Sequence, residues 1–173
     1  TGNPGPGGYG CILVYGEHRK ELSGGFRLTT NNRMEIMAAI VGLEALKTRC
    51  RVTVYSDSQY LVQAVMEGWV TRWKARKWMR TKKDRAANVD LWEWLLTALA
   101  QHEVTFQWVR GHAGHPENER CDQLAVAAAA QPDLPVDAGY LAELERRSQP
   151  AQRTNERGAP PELPLFGEEE EPE

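Results

Sequence analysis

The order of the apolar segments most strongly limits how this chain can fold. Residues 9–15 are rich in aromatic and branched side chains, and a turn at Gly16-Glu17 leads to a second such segment that runs to Arg27. Both segments predict strands. Helices and strands then alternate: helices from residue 31 or 32 to about 47, 58–67, 89 to about 101 and 116–130, and strands 51–57 and 104–110. Two antiparallel strands followed by such alternation predict an α/β domain.

The length and composition indicate a globular chain. A chain of 173 residues is expected to form one domain with a real core, plus an appendage. No apolar run approaches the roughly 20 residues of a membrane span, so no membrane association is expected. The three cysteines form no Cys-x-x-Cys pair, and an odd count argues against a disulfide framework. We therefore expect a reducing, cytoplasmic location and no zinc site.

The formal net charge of −3 hides a strong asymmetry along the chain. Residues 1–130 hold 17 Lys/Arg against 13 Asp/Glu, which makes that part about +4. Residues 131–173 hold 4 against 11, which makes the remainder about −7. The net charge alone would argue against a nucleic-acid partner, whereas the separated charges permit one.

Three acidic residues stand at positions that the predicted fold brings toward a ligand crevice. Asp57 ends a strand, Glu35 lies in the first turn of a predicted helix, and Asp122 lies near the start of the last one. Each alone has a simpler explanation, since acids favour helix N-termini and cap helices. Together they point to a different role. Carboxylates that are crowded in a crevice repel one another, and hard divalent cations bind clustered carboxylate oxygens.

Five motifs resemble those of bacterial-type ribonuclease H, type 1, in the order that this family has them. They span nearly all of residues 1–130, and the last of them, Gly-His-Ala-Gly-His-Pro-Glu-Asn-Glu-Arg-Cys-Asp, is highly specific. The motifs are residues 2–10, 29–35, 53–60, 88–92 and 111–122. The resemblance implies the ribonuclease H-like fold, in which a mixed five-stranded sheet is flanked by helices.

The resemblance also implies an activity and a metal cofactor. The family's endonucleases cut the RNA strand of RNA–DNA hybrids and leave 3′-hydroxyl and 5′-phosphate ends. Glu35, Asp57 and Asp122 match its metal ligands for two Mg²⁺ ions, with Mn²⁺ as a substitute, and two-metal sites suit phosphodiester hydrolysis. His112 matches a residue that assists product release or proton movement, and counts with the three acids as catalytic. His115, before a proline, is expected to be structural.

One part of the family pattern has no match in these residues. The family's site has a fourth carboxylate, in an Asp-Gly that ends a central first strand shortly before the Gly-Asn-Pro-Gly-Pro motif. This chain begins at Thr1, after that point. We expect that Thr1 is not the natural start, and that residues 1–173 alone are inactive or badly folded. The alternative, if Thr1 is the true start, is a catalytically inactive hybrid-binding module. A transposase or integrase nuclease of the same fold is a third, weaker reading. The basic, Trp-rich segment between Gly68 and Asn88 and the loop that carries His112 point specifically to ribonuclease H.

Basic and aromatic residues alternate between Gly68 and Asn88. Such a mixture suits a surface that follows phosphates and sugars, although a solvated helix anchored by its tryptophans, or a helix that touches a membrane, is also possible. The resemblance favours the family's basic protrusion, which grips the DNA strand. At least one tryptophan is expected to pack in the core. The residues predicted to contact the hybrid are Asn3, Thr30, Asn31, Gln59, Trp69, Lys74, Arg76, Lys77 and Asn88, with Thr30 and Asn88 on a DNA phosphate.

The composition changes again toward the C-terminus, where prolines and acids accumulate. We expect a ribonuclease H domain over residues 1–145, lacking the family's first strand, and a disordered acidic tail over 146–173. Residues 162–166 form an apolar island through Leu163, Leu165 and Phe166. That island is either part of an inert solubilising tail or, by its similarity to sliding-clamp-binding pentapeptides, a docking segment. A monomer is expected.

Overall fold

The computed structural model of the chain describes residues 2–149. The strands and helices occur in the predicted order, with two additional helices. They are β1 (Gly5–Tyr15), β2 (His18–Thr29), α1 (Asn31–Glu44), β3 (Arg51–Ser56), α2 (Gln59–Met66), α3 (Trp69–Ala75), α4 (Val89–Ala100), β4 (Glu103–Trp108), α5 (Pro116–Ala129) and α6 (Ala138–Ser148). The α/β class is therefore confirmed.

The four strands form two separate pairs. β1 and β2 form an antiparallel hairpin in which Tyr15 pairs with His18. β3 and β4 run parallel, from Arg51 opposite Glu103 to Ser56 opposite Trp108. Over residues 2–149, neither pair bonds to the other. The described residues thus form two separate two-stranded sheets, one antiparallel and one parallel.

Helix α1 is the centre of the hydrophobic core. Its residues Ile36, Ile40 and Leu43 are almost completely buried, and the helix packs against both β1 and α4. Trp92 of α4 is fully buried. Because α5 also packs on β1, this strand carries helices that position two of the three predicted carboxylates.

Two short helices were missed by the sequence prediction. α3 lies inside the Trp- and Lys/Arg-rich segment, where the charged residues obscure helical periodicity. α6 follows a proline-containing stretch, and its helix begins at Asp137, whose side chain accepts from the Tyr140 backbone N–H at 3.0 Å. It continues to Ser148, three residues past the predicted domain boundary at 145. Residues 150–173, including the 162–166 segment, lie outside the described residues.

No helix between residues 2 and 149 has both the length and the apolar character to cross a membrane. Cys11, Cys50 and Cys121 are half-buried free thiols, so none of the three forms a disulfide.

Candidate active site

The three predicted carboxylates come from three different elements. Asp57 directly follows β3, while Glu35 lies on α1 and Asp122 on α5. The structure places Glu35 in the second turn of α1, one turn later than predicted, because the helix begins at Asn31. All three residues line the same cavity.

The carboxylates influence one another's ionisation. Burial, followed by the charges of Asp57 and Asp122, raises the pKa of Glu35 to about 7. Burial and the charge of Asp57 also raise the pKa of Asp122, and His112 acts in the opposite direction. Part of the site's negative charge is therefore unfavourable at neutral pH without a cation.

Asp57 is held in place by its neighbours. Its Oδ2 accepts a hydrogen bond from the Asn118 side-chain amide at 3.0 Å, and its backbone carbonyl accepts from the Trp108 indole N–H at 3.0 Å. Gly111 approaches so closely that a Cβ there would lie 2.8 Å from Asp57 Oδ2. Asn118 was not among the site residues predicted from the sequence. Its spacing of four residues from Asp122 on one predicted helix could have indicated a shared face.

His112 stands beside this group on an exposed loop. Its Nδ1 lies 4.0 Å from Asp122 Oδ2 and its side chain is 88% exposed. Its backbone has a φ of +54°, a conformation that few residues other than glycine adopt. An exposed imidazole at the edge of a carboxylate cluster can exchange protons with solvent. His115 provides the N-cap position of α5 without a side-chain cap bond.

This cavity has a volume of about 470 Å³ and lies between β1 and β3. Consecutive residues of β1 and of β3 line it, from Gly8 to Val14 and from Val52 to Ser56. Because successive side chains in a strand point to opposite faces, lining by consecutive residues means that the cavity meets the edges of both strands. Unpaired backbone N–H and C=O groups at such edges can pair with an added strand.

The donor set at this cavity suits a hard divalent cation in its chemistry. Carboxylate oxygens are the ligands that Mg²⁺ and Ca²⁺ prefer, and the pKa of Glu35 is raised by its burial and, after that, by the charges of Asp57 and Asp122. Within residues 2–149, however, no three acidic, histidine or cysteine side chains already converge closely enough to hold an ion. The residues therefore fit a metal site by type, and closing it requires movement or a further ligand.

The match to known proteins decides the family. The ribonuclease H family model matches residues 1–130. The chain belongs to the ribonuclease H family. It is 66% identical over 139 residues to the ribonuclease H of Syntrophus aciditrophicus, covering 80% of each chain. It is also similar in structure to LC9-RNase H1, a type 1 RNase H with the type 2 active-site motif, at 30% identity and a TM-score of 0.59, covering 75% of this chain and 74% of that one.

A second structural neighbour shares the fold alone. LC11-RNase H1, solved in complex with RNA/DNA hybrid, is 23% identical with a TM-score of 0.53, and the match covers 75% of this chain and 89% of that one. The α/β architecture inferred from the apolar segments is thus the ribonuclease H fold, and the chain is a ribonuclease.

Several predicted hybrid contacts in this ribonuclease lie at helix starts. Asn3 and Asn31 adjoin, since the Asn3 side-chain oxygen accepts from the Asn31 backbone N–H at 3.1 Å. Thr30 caps α1 by accepting from the Arg33 N–H at 3.3 Å. Gln59 is exposed at the first position of α2. Asn3 and Asn31 are also exposed, so these amides are open to a ligand.

The basic segment combines exposed cations with packed tryptophans. Lys74, Arg76 and Lys77 are exposed. Trp69 is half-buried and packs against Trp73 with ring centroids 6.2 Å apart. Trp78, which is 7% exposed, donates its indole N–H to Glu93 at 2.9 Å. Burial of Trp78 agrees with the expectation that at least one tryptophan packs in the core.

Asn88 is less open than a phosphate contact would suggest. It is only 6% exposed and precedes α4 with a left-handed backbone, at φ +61°. Its side-chain N–H donates to the Tyr60 hydroxyl at 3.2 Å, and its backbone N–H donates to Glu143 at 3.0 Å. Sequence reasoning did not identify Glu143, which lies 55 residues away in α6.

Proposed function

We propose that this ribonuclease hydrolyses the RNA strand of RNA–DNA hybrids at the site formed by Glu35, Asp57 and Asp122. The observation that supports this most directly is that the three acids line one cavity. Burial there, followed by the charges of Asp57 and Asp122, raises the pKa of Glu35 to about 7. A lone structural carboxylate has no reason to be crowded by two others in a cavity.

The residues divide the work according to their positions. Glu35, Asp57 and Asp122 would hold Mg²⁺, or Mn²⁺ in its place. Two such ions would supply activation of the attacking water and stabilisation of the leaving 3′ oxygen, giving 3′-hydroxyl and 5′-phosphate ends. Asn118 keeps the Asp57 carboxylate oriented through its 3.0 Å bond. His112, next to Asp122, would move protons to solvent or assist product release.

A fourth carboxylate belongs in the cavity between β1 and β3. An extended segment that paired with the open edges of β1 and β3 would join the two two-stranded sheets. It would also bring its own side chains next to the three acids, which line the same cavity. An Asp at the end of such a segment would complete the ligand set. This is the reason to expect low activity from residues 1–173 alone.

The hybrid is expected to lie across the helix starts and the basic segment. Asn3, Asn31 and Gln59 would contact the minor groove, where amides can pair with sugars and base edges. Trp69, Lys74, Arg76 and Lys77 would follow the DNA strand. The RNA/DNA hybrid in the LC11-RNase H1 complex supports this class of ligand for the fold.

Cleavage of an end-labelled RNA–DNA hybrid in Mg²⁺ tests the proposal. Two proteins are compared: residues 1–173, and the same residues preceded by a strand-forming segment that ends in Asp-Gly. We expect rapid cleavage only by the second protein, and products that a DNA polymerase can extend from their 3′-hydroxyl ends. Replacing the added Asp with Asn is the matched control and should abolish cleavage. Normal rates from residues 1–173 alone would contradict the need for a fourth carboxylate.

A hybrid-binding module without catalysis is the second candidate. It is favoured by the lack, within residues 2–149, of three candidate ligands that already converge on one point. Binding of the hybrid by both proteins with cleavage by neither would establish it.

The remaining assignments concern the protein's surroundings. The three free thiols favour a reducing, cytoplasmic location, and we propose that the enzyme acts as a monomer. For the 162–166 segment, outside the described residues, we propose docking to a sliding clamp. A peptide of residues 158–167 should bind the clamp, and replacing Leu165 and Phe166 by alanine should abolish binding.

A further inference from the structure

Helix α6 directs two buried acids toward the segments that carry Thr30 and Asn88. Asp137, at the helix start, is 5% exposed, and Glu143 is 3% exposed. Asp137 accepts from the Thr29 hydroxyl at 2.7 Å and from the Arg33 guanidinium at 2.7 and 2.9 Å. Buried carboxylates are costly unless they are hydrogen-bonded, so both acids have a specific structural task.

Glu143 bonds to the backbone of Asn88. Its Oε2 accepts the Asn88 N–H at 3.0 Å, and its other oxygen accepts from the Arg147 guanidinium. Asn88 has the left-handed conformation, with φ +61° and ψ 31°, which costs free energy for most residues other than glycine. The bond from Glu143 helps to offset that cost and fixes the backbone.

The side chain of Asn88 is fixed at its other end. One N–H of the amide donates to Tyr60, which leaves the second N–H to donate elsewhere. A residue held at its backbone nitrogen and at its side-chain nitrogen has little freedom to rotate. Its remaining donor therefore has a defined direction, which is what recognition of one phosphate requires.

We propose that Glu143 is a positioning residue for the DNA strand, because it holds Asn88 in the conformation that presents this amide to a single DNA phosphate. The inference rests on the proposed hybrid-binding function. It adds helix α6, which lies beyond the residues 1–130 of the family match, to the machinery that distinguishes the strands.

The test measures the affinity of residues 1–173 for hybrids that carry one neutral methylphosphonate at successive positions of the DNA strand. With the unmodified protein, we expect one position to weaken binding roughly tenfold, the effect of losing a hydrogen bond to a charged group. Asn88→Gly keeps the left-handed backbone and the backbone N–H but lacks the side-chain amide. For this variant, the penalty, which is the loss of affinity caused by the methylphosphonate, should disappear at that position only.

Two variants separate the reach of Glu143 from its charge. Glu143→Gln keeps an oxygen at the distance of Asn88 and loses the charge, so the penalty should remain. Glu143→Asp keeps the charge but is one methylene too short, so the penalty should shrink to less than about threefold. That factor corresponds to under half of the free energy of the hydrogen bond between the Asn88 amide and the phosphate. Glu145→Ala, which removes an exposed acid from the same helix, is the control and should behave like the unmodified protein. All variants are checked by thermal melting.

The outcomes are distinct. If the neutral phosphate still weakens binding of Glu143→Asp by the full factor, or if it no longer weakens binding of Glu143→Gln, the positioning role is wrong and Glu143 serves only to dock α6. If the hybrid binds but no phosphate position depends on Asn88, the inference is likewise overturned, whereas the hybrid-binding function stands. Absence of any hybrid binding would overturn both.

Discussion

Asp57 illustrates how closely single residues control this site. Gly111 leaves room for its carboxylate, and a Cβ at position 111 would lie 2.8 Å from Oδ2. Gly111→Ala should therefore displace the carboxylate and weaken its bond from Asn118. In the protein with the added Asp-Gly strand, we expect hybrid cleavage to fall roughly tenfold or more, because misplacing a reacting group by about 1 Å is that costly.

The matched control for Gly111→Ala is a measurement of the melting temperature. In an Asp57→Ala background the opposing oxygen is gone, so adding Gly111→Ala should leave the melting temperature unchanged. An unchanged cleavage rate for Gly111→Ala alone would show that the carboxylate has space to spare.

Glu35 should make the metal-free protein sensitive to pH. Its pKa is about 7 in the folded chain, against an ordinary value of 4.5. Since the folded state binds the proton more tightly than the unfolded state, the stabilisation is complete below pH 4.5 and is lost as the pH rises through 7. The shift corresponds to at most about 3 kcal/mol. Urea unfolding in EDTA should show this decline, and Glu35→Gln should flatten it.

Glu67→Gln, an exposed acid at the end of α2, is the control for that pH series and should keep the decline. Parallel curves for the unmodified protein and Glu35→Gln between pH 4.5 and 7 would mean that neither burial nor the neighbouring acids raise the pKa of Glu35.

The three acids could be predicted from sequence because each stands at a recognisable boundary of an element. Asn118 is indicated only by its spacing from Asp122, and Glu143 has no local signal. Their partners lie 61 and 55 residues away, and only tertiary packing brings such residues together. For Asn88 the motif predicts a phosphate contact, but the fold buries most of the residue. A motif therefore does not report how exposed its residues are in the folded chain.

At the scale of elements, α5 is seated directly on the backbone of β1. A Cβ at Gly10 would lie 2.3 Å from the Cys121 carbonyl oxygen and 2.8 Å from the Leu124 Cβ. Gly10→Ala should push away the helix that carries Asp122 and lower the free energy of unfolding by about 1–3 kcal/mol. Gly2→Ala, whose nearest contact would be an ordinary 3.4 Å, is the matched control. Equal denaturation midpoints for the two variants would show that α5 can shift without cost.

The elements themselves were predictable where apolar periodicity was strong. α5 begins at the predicted residue, Pro116, and α1 begins at Asn31, with Thr30 as its N-cap in place of the predicted Asn31 or Asn32. α6 was missed because its position depends on long-range bonds, chiefly that of Asp137 with the Arg33 guanidinium at 2.7 Å. Local sequence cannot report a bond between residues 104 positions apart.

On the scale of the whole molecule, the cavity between β1 and β3 is where we expect stability and activity to be linked. Two open strand edges face it, and unpaired backbone groups at such edges exchange with solvent unless they find partners. In residues 1–173 the backbone amides on the cavity side of β1 and β3 should therefore exchange their hydrogens quickly, whereas amides in the β1–β2 hairpin bonds should be protected. Adding the Asp-Gly strand should protect both edges together, because one inserted strand pairs with the two at once. Protection of β1 without β3 would place the added strand outside the cavity and separate its effect on stability from the completion of the carboxylate site.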